Sequence, residues 1–165
     1  MSERPTTADL SVAVLTACRK RGIMLATAES CTGGMIAAAL TDIAGSSAVV
    51  DRGFVTYSNE AKMQMLGVSP RTLEQHGAVS EATAREMATG ALAHSAADLT
   101  VAITGVAGPG GGSDAKPVGL VHFAAARKGG QVIAEHHLFG DIGRTQVREA
   151  AVMVALQLLR RLAGN

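Results

Sequence analysis

Apolar residues recur at helical spacing over residues 8–21, with Leu10, Val14, Ala17 and Cys18 on one face and Gly22 as a stop. The pattern then changes. Ile23-Met24-Leu25-Ala26 is a short continuous apolar run, as expected of a buried strand, and MIAAALTDIA at 35–44 returns to a helix. AVVDRGFVTY at 48–57 reads as a second strand, broken near Asp51 and Gly53. Helices are predicted over about 59–66, over 70–76 with Pro70 in the favoured first position, and over 81–96 behind Ser80 as a cap. LTVAITG at 99–105 is rich in β-branched residues and predicts a central strand. VGLVHFAAA and QVIAEHHLF flank RKGG, a hairpin signal that requires antiparallel neighbours. A last helix over about 143–162 sets Val147, Ala151, Val154 and Leu158 on its apolar face. Helices alternating with strands, followed by a hairpin, predict a single α/β domain: a three-layer α/β/α sandwich on a mixed β-sheet. The first seven residues are expected to be flexible, and no repeat or linker interrupts the chain.

Length agrees with that picture, because 165 residues build one domain with a proper core and leave no room for two ordinary ones. Charge narrows the function. Fifteen Lys and Arg against fourteen Asp and Glu give a net +1, and the basic residues are scattered apart from Arg160 and Arg161. A nucleic-acid surface needs a basic stripe, and single-strand binders also need stacking aromatics, whereas this chain has one Tyr, three Phe and no Trp. MSERPTTADL lacks the apolar core of a signal peptide, and no apolar run approaches the roughly 18 residues of a membrane span. A cytoplasmic chain with neither a nucleic-acid nor a membrane partner is therefore expected. Its two cysteines make neither a disulfide framework nor a metal spacing, so no metal and no cofactor are expected. His136 and His137 are adjacent on a strand and point to opposite faces, and His76 reads as a helix end.

Three stretches carry possible chemistry. TAESCTGG at 27–34 turns from strand to helix and offers Glu29, two potential nucleophiles in Ser30 and Cys31, Thr32, and the flexible pair Gly33 and Gly34. Amides at the start of the following helix could hold an oxyanion or a phosphate, while Ser30 could equally be a plain N-cap and Cys31 a small packed thiol. In YSNEAK, Ser58 as a cap puts Tyr57 and Lys62 at the two positions whose side chains meet in a staple. A phenol and an amine there suit proton transfer, although a packed strand end and a solvated surface charge explain them as simply. ITGVAGPGGGSDAKPVG is a glycine-rich loop after a strand, able to cradle a phosphate with its amides through Thr104, Gly105, Ala107, Gly108, Gly110 and Gly111, or else a mobile surface loop. It matches neither the Walker nor the dinucleotide fingerprint.

TAESCTGG, DIAGSS, RGFVTYSNEAK, LGV, HGAVSE, ITGVAGPGGG with KPVG, and the C-terminal helix together resemble the CinA C-terminal domain family. The resemblance runs from about residue 8 to 162, with no departure at the motif positions. It implies an amidohydrolase that converts nicotinamide mononucleotide to nicotinate mononucleotide and ammonia, with Ser30 as nucleophile and Lys62 as base. Tyr57 would be a relay or a positioning partner. The amides around Cys31, Thr32 and Gly33 become oxyanion-hole candidates, with Glu29 and Gly34 beside them. The glycine loop, and secondarily Ser46 and Ser47, become candidates for the ribose phosphate. The expected partner is that small molecule, within a homo-oligomer. Its rivals are a non-catalytic pyridine-nucleotide-binding module and a competence-related regulatory role.

Overall fold

A computed structural model of the chain describes residues 3–164. Helix α1 (Thr7–Arg21) starts at a capping box in which the Thr6 side chain and Asp9 satisfy each other's backbone amides, a defined start where sequence suggested a flexible lead-in. Met1 and Ser2 of that lead-in lie outside the described residues. Gly22 ends α1 in the left-handed conformation, and the Ile23 amide donates back to the Cys18 carbonyl, which takes Ile23 out of the strand predicted there. Strand β1 is therefore Leu25–Glu29, shifted toward the polar residues Thr27 and Glu29, and it is buried throughout.

The chain continues as α2 (Met35–Thr41), a short 3-10 turn at Ser46–Ala48, β2 (Val50–Val55), α3 (Asn59–Leu66), α4 (Pro70–His76) and α5 (Glu81–Ala93). It closes with β3 (Leu99–Gly105), β4 (Leu120–Arg127), β5 (Val132–Leu138) and α6 (Arg144–Ala163). The five strands form one sheet in the order β2-β1-β3-β4-β5. β1 is parallel to both β2 and β3, while β3–β4 and β4–β5 are antiparallel, so the sheet is mixed as predicted. β2 is continuous rather than broken. Its irregularity is a register shift at Asp51, where Leu25 and Ala26 pair with Val50 and Arg52. Among the described residues no helix is long and apolar enough to cross a membrane.

Two unlike faces cover this sheet. Large apolar side chains such as Leu25, Leu99, Val101, Ile103 and Phe123 face α1, α2 and α6, whose Leu10, Val14, Ile36, Val147, Ala151 and Leu158 complete that core. On the other face the sheet presents Ala26, Ala28, Ala102, Ala124 and Ala126 to Ala84, Met87, Ala88 and Ala91 of α5. Small side chains on both partners let α5 approach closely, and the Thr100 hydroxyl donates to the Ala88 carbonyl at 2.7 Å.

That close layer fixes α3. A Cβ on Gly90 would lie 1.9 Å from the Leu66 carbonyl oxygen, so the last turn of α3 rests on α5 at a spot only glycine permits. Lys62 lies one turn earlier on the same helix. In an unconstrained helix Gly→Ala gains up to about 1 kcal/mol. Here the added methyl meets backbone, and Gly90→Ala is expected to destabilise by about 1–3 kcal/mol, a Tm loss of roughly 2–12 °C for a chain of this size. Thermal denaturation checks this, and a raised Tm would show that α3 does not depend on the contact.

Candidate active site

The site forms where the parallel strands end. The Ser30 amide donates to the Ile103 carbonyl at 3.0 Å, extending the β1–β3 ladder by one residue, and the chain then turns through Gly33 (φ 58°) and Gly34 (φ 108°). The fully buried Glu29 carboxylate reaches over this turn and accepts from the amides of Ile36 (2.9 Å) and Ala37 (3.1 Å). Glu29 is therefore the cap of α2, and Ser30 is left out of that task. The helix amides that sequence suggested for an anion are already taken. The Gly33 amide is committed as well, to the Ser30 carbonyl at 3.1 Å, whereas no other described residue accepts from the amides of Cys31 and Thr32.

Lys62 approaches Ser30 from α3. Ser58 caps that helix by accepting from the Ala61 amide at 3.0 Å, which sets Lys62 on its first turn and aims it inward. Lys62 is 1% exposed, one of the largest fully buried side chains among the described residues. Its Nζ lies 2.9 Å from Ser30 Oγ, 2.9 Å from the Thr56 carbonyl and 3.3 Å from the Tyr57 carbonyl. No carboxylate pairs with it among the described residues, since neighbouring Glu29 is turned to α2. Burial drives its pKa below the ordinary lysine range. In the ammonium form Nζ donates to all three oxygens. In the neutral amine the two carbonyls take both N–H bonds, and the lone pair is left facing the Ser30 hydroxyl.

Cys31 differs from its neighbour. Burial raises its thiol to about 11, so it carries almost no thiolate near neutrality. Tyr57 does not meet Lys62 through its phenol as the staple suggested. It contributes its main-chain carbonyl, and its exposed side chain turns outward, where the hydroxyl accepts from Arg144 Nη2 at 3.2 Å. A second bond from Arg144, 2.8 Å to the Gly108 carbonyl, ties the glycine loop to the start of α6.

Ser30, Cys31, Tyr57, Lys62, Thr104, Gly105, Ala107, Gly108, Gly110 and Gly111 all line one cleft of about 270 Å³. Ala78, Val79, Val106 and Arg144, which sequence did not single out, complete it. Thr104 holds the wall in place by donating to the Ala78 carbonyl at 2.8 Å. Glu29, Thr32, Gly33 and Gly34 belong to the same segment but are not among the lining residues. Ser46 and Ser47 precede β2, at the edge of the sheet where the parallel strands begin. A strand's length of roughly 15 Å, at about 3.3 Å per residue, separates them from the cleft. α2 carries the chain away from the site before they occur, so they are not brought to it. Arg144 had a readable signal: it occupies the first position of a helix whose first turn holds no acidic residue, against the usual preference of the dipole.

Residues 7–163 match the family model for the CinA C-terminal domain. The chain belongs to the CinA C-terminal domain family. Within it, the nicotinamide-nucleotide amidohydrolase PncC of Escherichia coli (strain K12) is 56% identical over 151 residues, covering 91% of this chain and 90% of that protein. The protein of the same name from Enterobacter agglomerans is 53% identical over 154 residues, 93% of each chain. The crystal structure of the competence/damage inducible protein CihA from Agrobacterium tumefaciens superposes with a TM-score of 0.94 at 56% identity, covering 98% of this chain and 99% of that one.

The buried amine has a measurable signature. Because its pKa is lowered on folding, the unfolded chain holds that proton more tightly in the window from the depressed folded value up to the ordinary lysine value of 10.5. Stability contributed by the group therefore rises with pH across that window, and is poorest below it. Lys62→Met removes this dependence, so the Tm of the variant minus that of the unaltered chain is expected to fall as pH rises toward the ordinary lysine value. A flat difference would mean that Lys62 titrates alike in both states.

Proposed function

We propose that the chain is a nicotinamide-nucleotide amidase, hydrolysing the carboxamide of nicotinamide mononucleotide to nicotinate mononucleotide and ammonia. The observation that carries this is the 2.9 Å contact between Ser30 Oγ and a buried lysine amine with no acidic partner, in a family whose stand-alone relatives bear that activity in their names. Ser30 Oγ attacks the carboxamide carbon while its proton passes to Lys62. The carbonyl oxygen becomes an oxyanion held by the free amides of Cys31 and Thr32. As the C–N bond breaks, Lys62 returns the proton to nitrogen and ammonia leaves. Water then adds to the nicotinoyl ester, giving a proton to Lys62, and the serine hydroxyl is regenerated as the acid departs.

The cleft suits the rest of the substrate. Arg144 meets no carboxylate among the described residues and stands at the first turn of α6 beside the glycine loop, a cationic end for the ribose phosphate. Tyr57 orients that guanidinium through its hydroxyl. In this reading it positions the phosphate anchor instead of relaying the serine proton.

Ammonia release from the mononucleotide tests the chemistry. Ser30→Ala is expected to abolish it, Cys31→Ala to keep most of it, and Lys62→Arg to lose a factor on the order of 10²–10⁴, because arginine stays protonated. Tight binding of the mononucleotide by the unaltered chain without ammonia release would leave a nucleotide-binding module instead.

The phosphate assignment has its own check. Arg144→Ala should raise KM for the mononucleotide severalfold or more while leaving the much weaker turnover of free nicotinamide unchanged. Equal kcat/KM for nucleotide and free base in the unaltered chain would refute it.

A further inference from the structure

One guanidinium lies against the nucleophile turn on the side away from Lys62. Arg148, half-buried on α6, donates through Nε to the Cys31 carbonyl at 3.0 Å and through Nη2 to the Thr32 carbonyl at 3.3 Å. It forms no salt bridge with any described carboxylate, so its charge is spent on two main-chain oxygens. The packing is tight: a Cβ on Gly33 would stand 3.3 Å from Nη2.

The geometry of the peptide unit gives this contact a consequence. In a trans peptide the carbonyl and the amide hydrogen point in opposite directions. Holding the Cys31 carbonyl toward α6 therefore aims the Thr32 amide the other way, and holding the Thr32 carbonyl does the same for the Gly33 amide. The second of these is seen at work, since the Gly33 amide donates to the Ser30 carbonyl. The first leaves the Thr32 amide without a protein acceptor on the nucleophile's side of the turn.

Left-handed glycines at 33 and 34 make this turn conformationally cheap to rearrange. A rotated peptide would point a carbonyl where an oxyanion must be stabilised. Two bonds from one cation oppose that rotation, and a positive charge on the carbonyl oxygens also polarises the attached amides toward stronger donation.

We infer that Arg148 is a positioning residue that sets and polarises the oxyanion-stabilising Thr32 amide of the nucleophile turn without touching the substrate. This rests on the amidase reading above and names the group that holds its oxyanion site in shape. Arg144, one turn earlier on α6, faces the cleft itself, so the two arginines serve different ends of the same reaction.

The test compares Arg148→Lys and Arg148→Met with the unaltered chain on nicotinamide mononucleotide, with Tm measured alongside. Losing a single oxyanion donor costs about 10²–10³ in kcat. Loosening its support in Arg148→Met is expected to cost roughly 10–10² in kcat with KM within about threefold. Arg148→Lys, which can reach one carbonyl, should fall between. The 3-aldehyde analogue of the mononucleotide provides a readout that a structural role would not move. Ser30 adds to its carbon, the serine proton passes to Lys62, and the former carbonyl oxygen becomes an oxyanion, so its affinity should weaken in step with kcat while that of the product nucleotide stays constant. Unchanged kcat in folded Arg148→Met overturns the inference, as does a rise in KM alone. If Arg148→Met does not fold, Arg148→Lys decides: a folded lysine variant with full kcat and full aldehyde affinity overturns it. An unaltered chain that releases no ammonia would instead remove the amidase reading, a separate failure.

Discussion

Everything in this molecule that bears on chemistry depends on burying one amine without a counter-ion. A lysine taken out of water costs free energy unless it sheds its proton or finds a carboxylate. A carboxylate is available one residue from Ser30, and the structure diverts it: Glu29 spends both oxygens on the first amides of α2. That capping does two things at once. It satisfies a buried acid and a helix start, and it keeps a negative charge from pairing with Lys62 and raising its proton affinity. Two carbonyls, from Thr56 and Tyr57, are what remains, and they fix the direction of the nitrogen lone pair without neutralising a charge.

Supporting that amine requires rigidity elsewhere. α3 is only eight residues long and could not hold a buried lysine by itself. Its end is seated on Gly90 of α5, and α5 is in turn pressed onto a sheet face made of alanines. The side chains that look least informative in the sequence, the alanines of β1, β3, β4 and α5, thereby determine how far Lys62 reaches toward Ser30. The opposite face, with its larger side chains, supplies the bulk of the core between the sheet and α1, α2 and α6.

The fold was largely legible in the sequence because its strands and helices differ in period and are separated by glycine and capping residues. Every predicted element is present, and apart from the break expected within β2 the errors fall at ends. β1 begins two residues late because the Schellman-type closure of α1 claims Ile23, and it extends through Glu29 because a helix supplies partners for that acid. α5 stops at Ala93, three residues early, where His94 and Ser95 turn their side chains back onto carbonyls of the last turn. Within the site, local motifs offered Ser30, Lys62 and the glycine loop as candidates beside simpler readings, the family resemblance selected them, and they share the cleft. What could not be read locally is any contact between distant segments. The outward turn of the Tyr57 phenol is a response to Arg144, 87 positions away, and Ser46 and Ser47 were grouped with the site through the family resemblance, which shows no contact between segments.

Helix α6 shows most plainly why the missing half was invisible. Its apolar positions, Val147, Ala151, Val154 and Leu158, read as a core-facing stripe and nothing more, and the structure moves the third of them to Ala155, leaving Val154 half-buried. Yet fixing that stripe against the sheet also fixes the rotation of the helix, and hence where its first two turns present their arginines. Residues four apart lie on one side of a helix, so Arg144 and Arg148 are carried to the same region, one at the mouth of the cleft and one behind the nucleophile turn. Hydrophobic register thus sets the placement of two charges, 114 and 118 positions after Ser30. The sequence displays the register, and the function of the charges appears only once the sheet has brought the start of α6 to the end of β1.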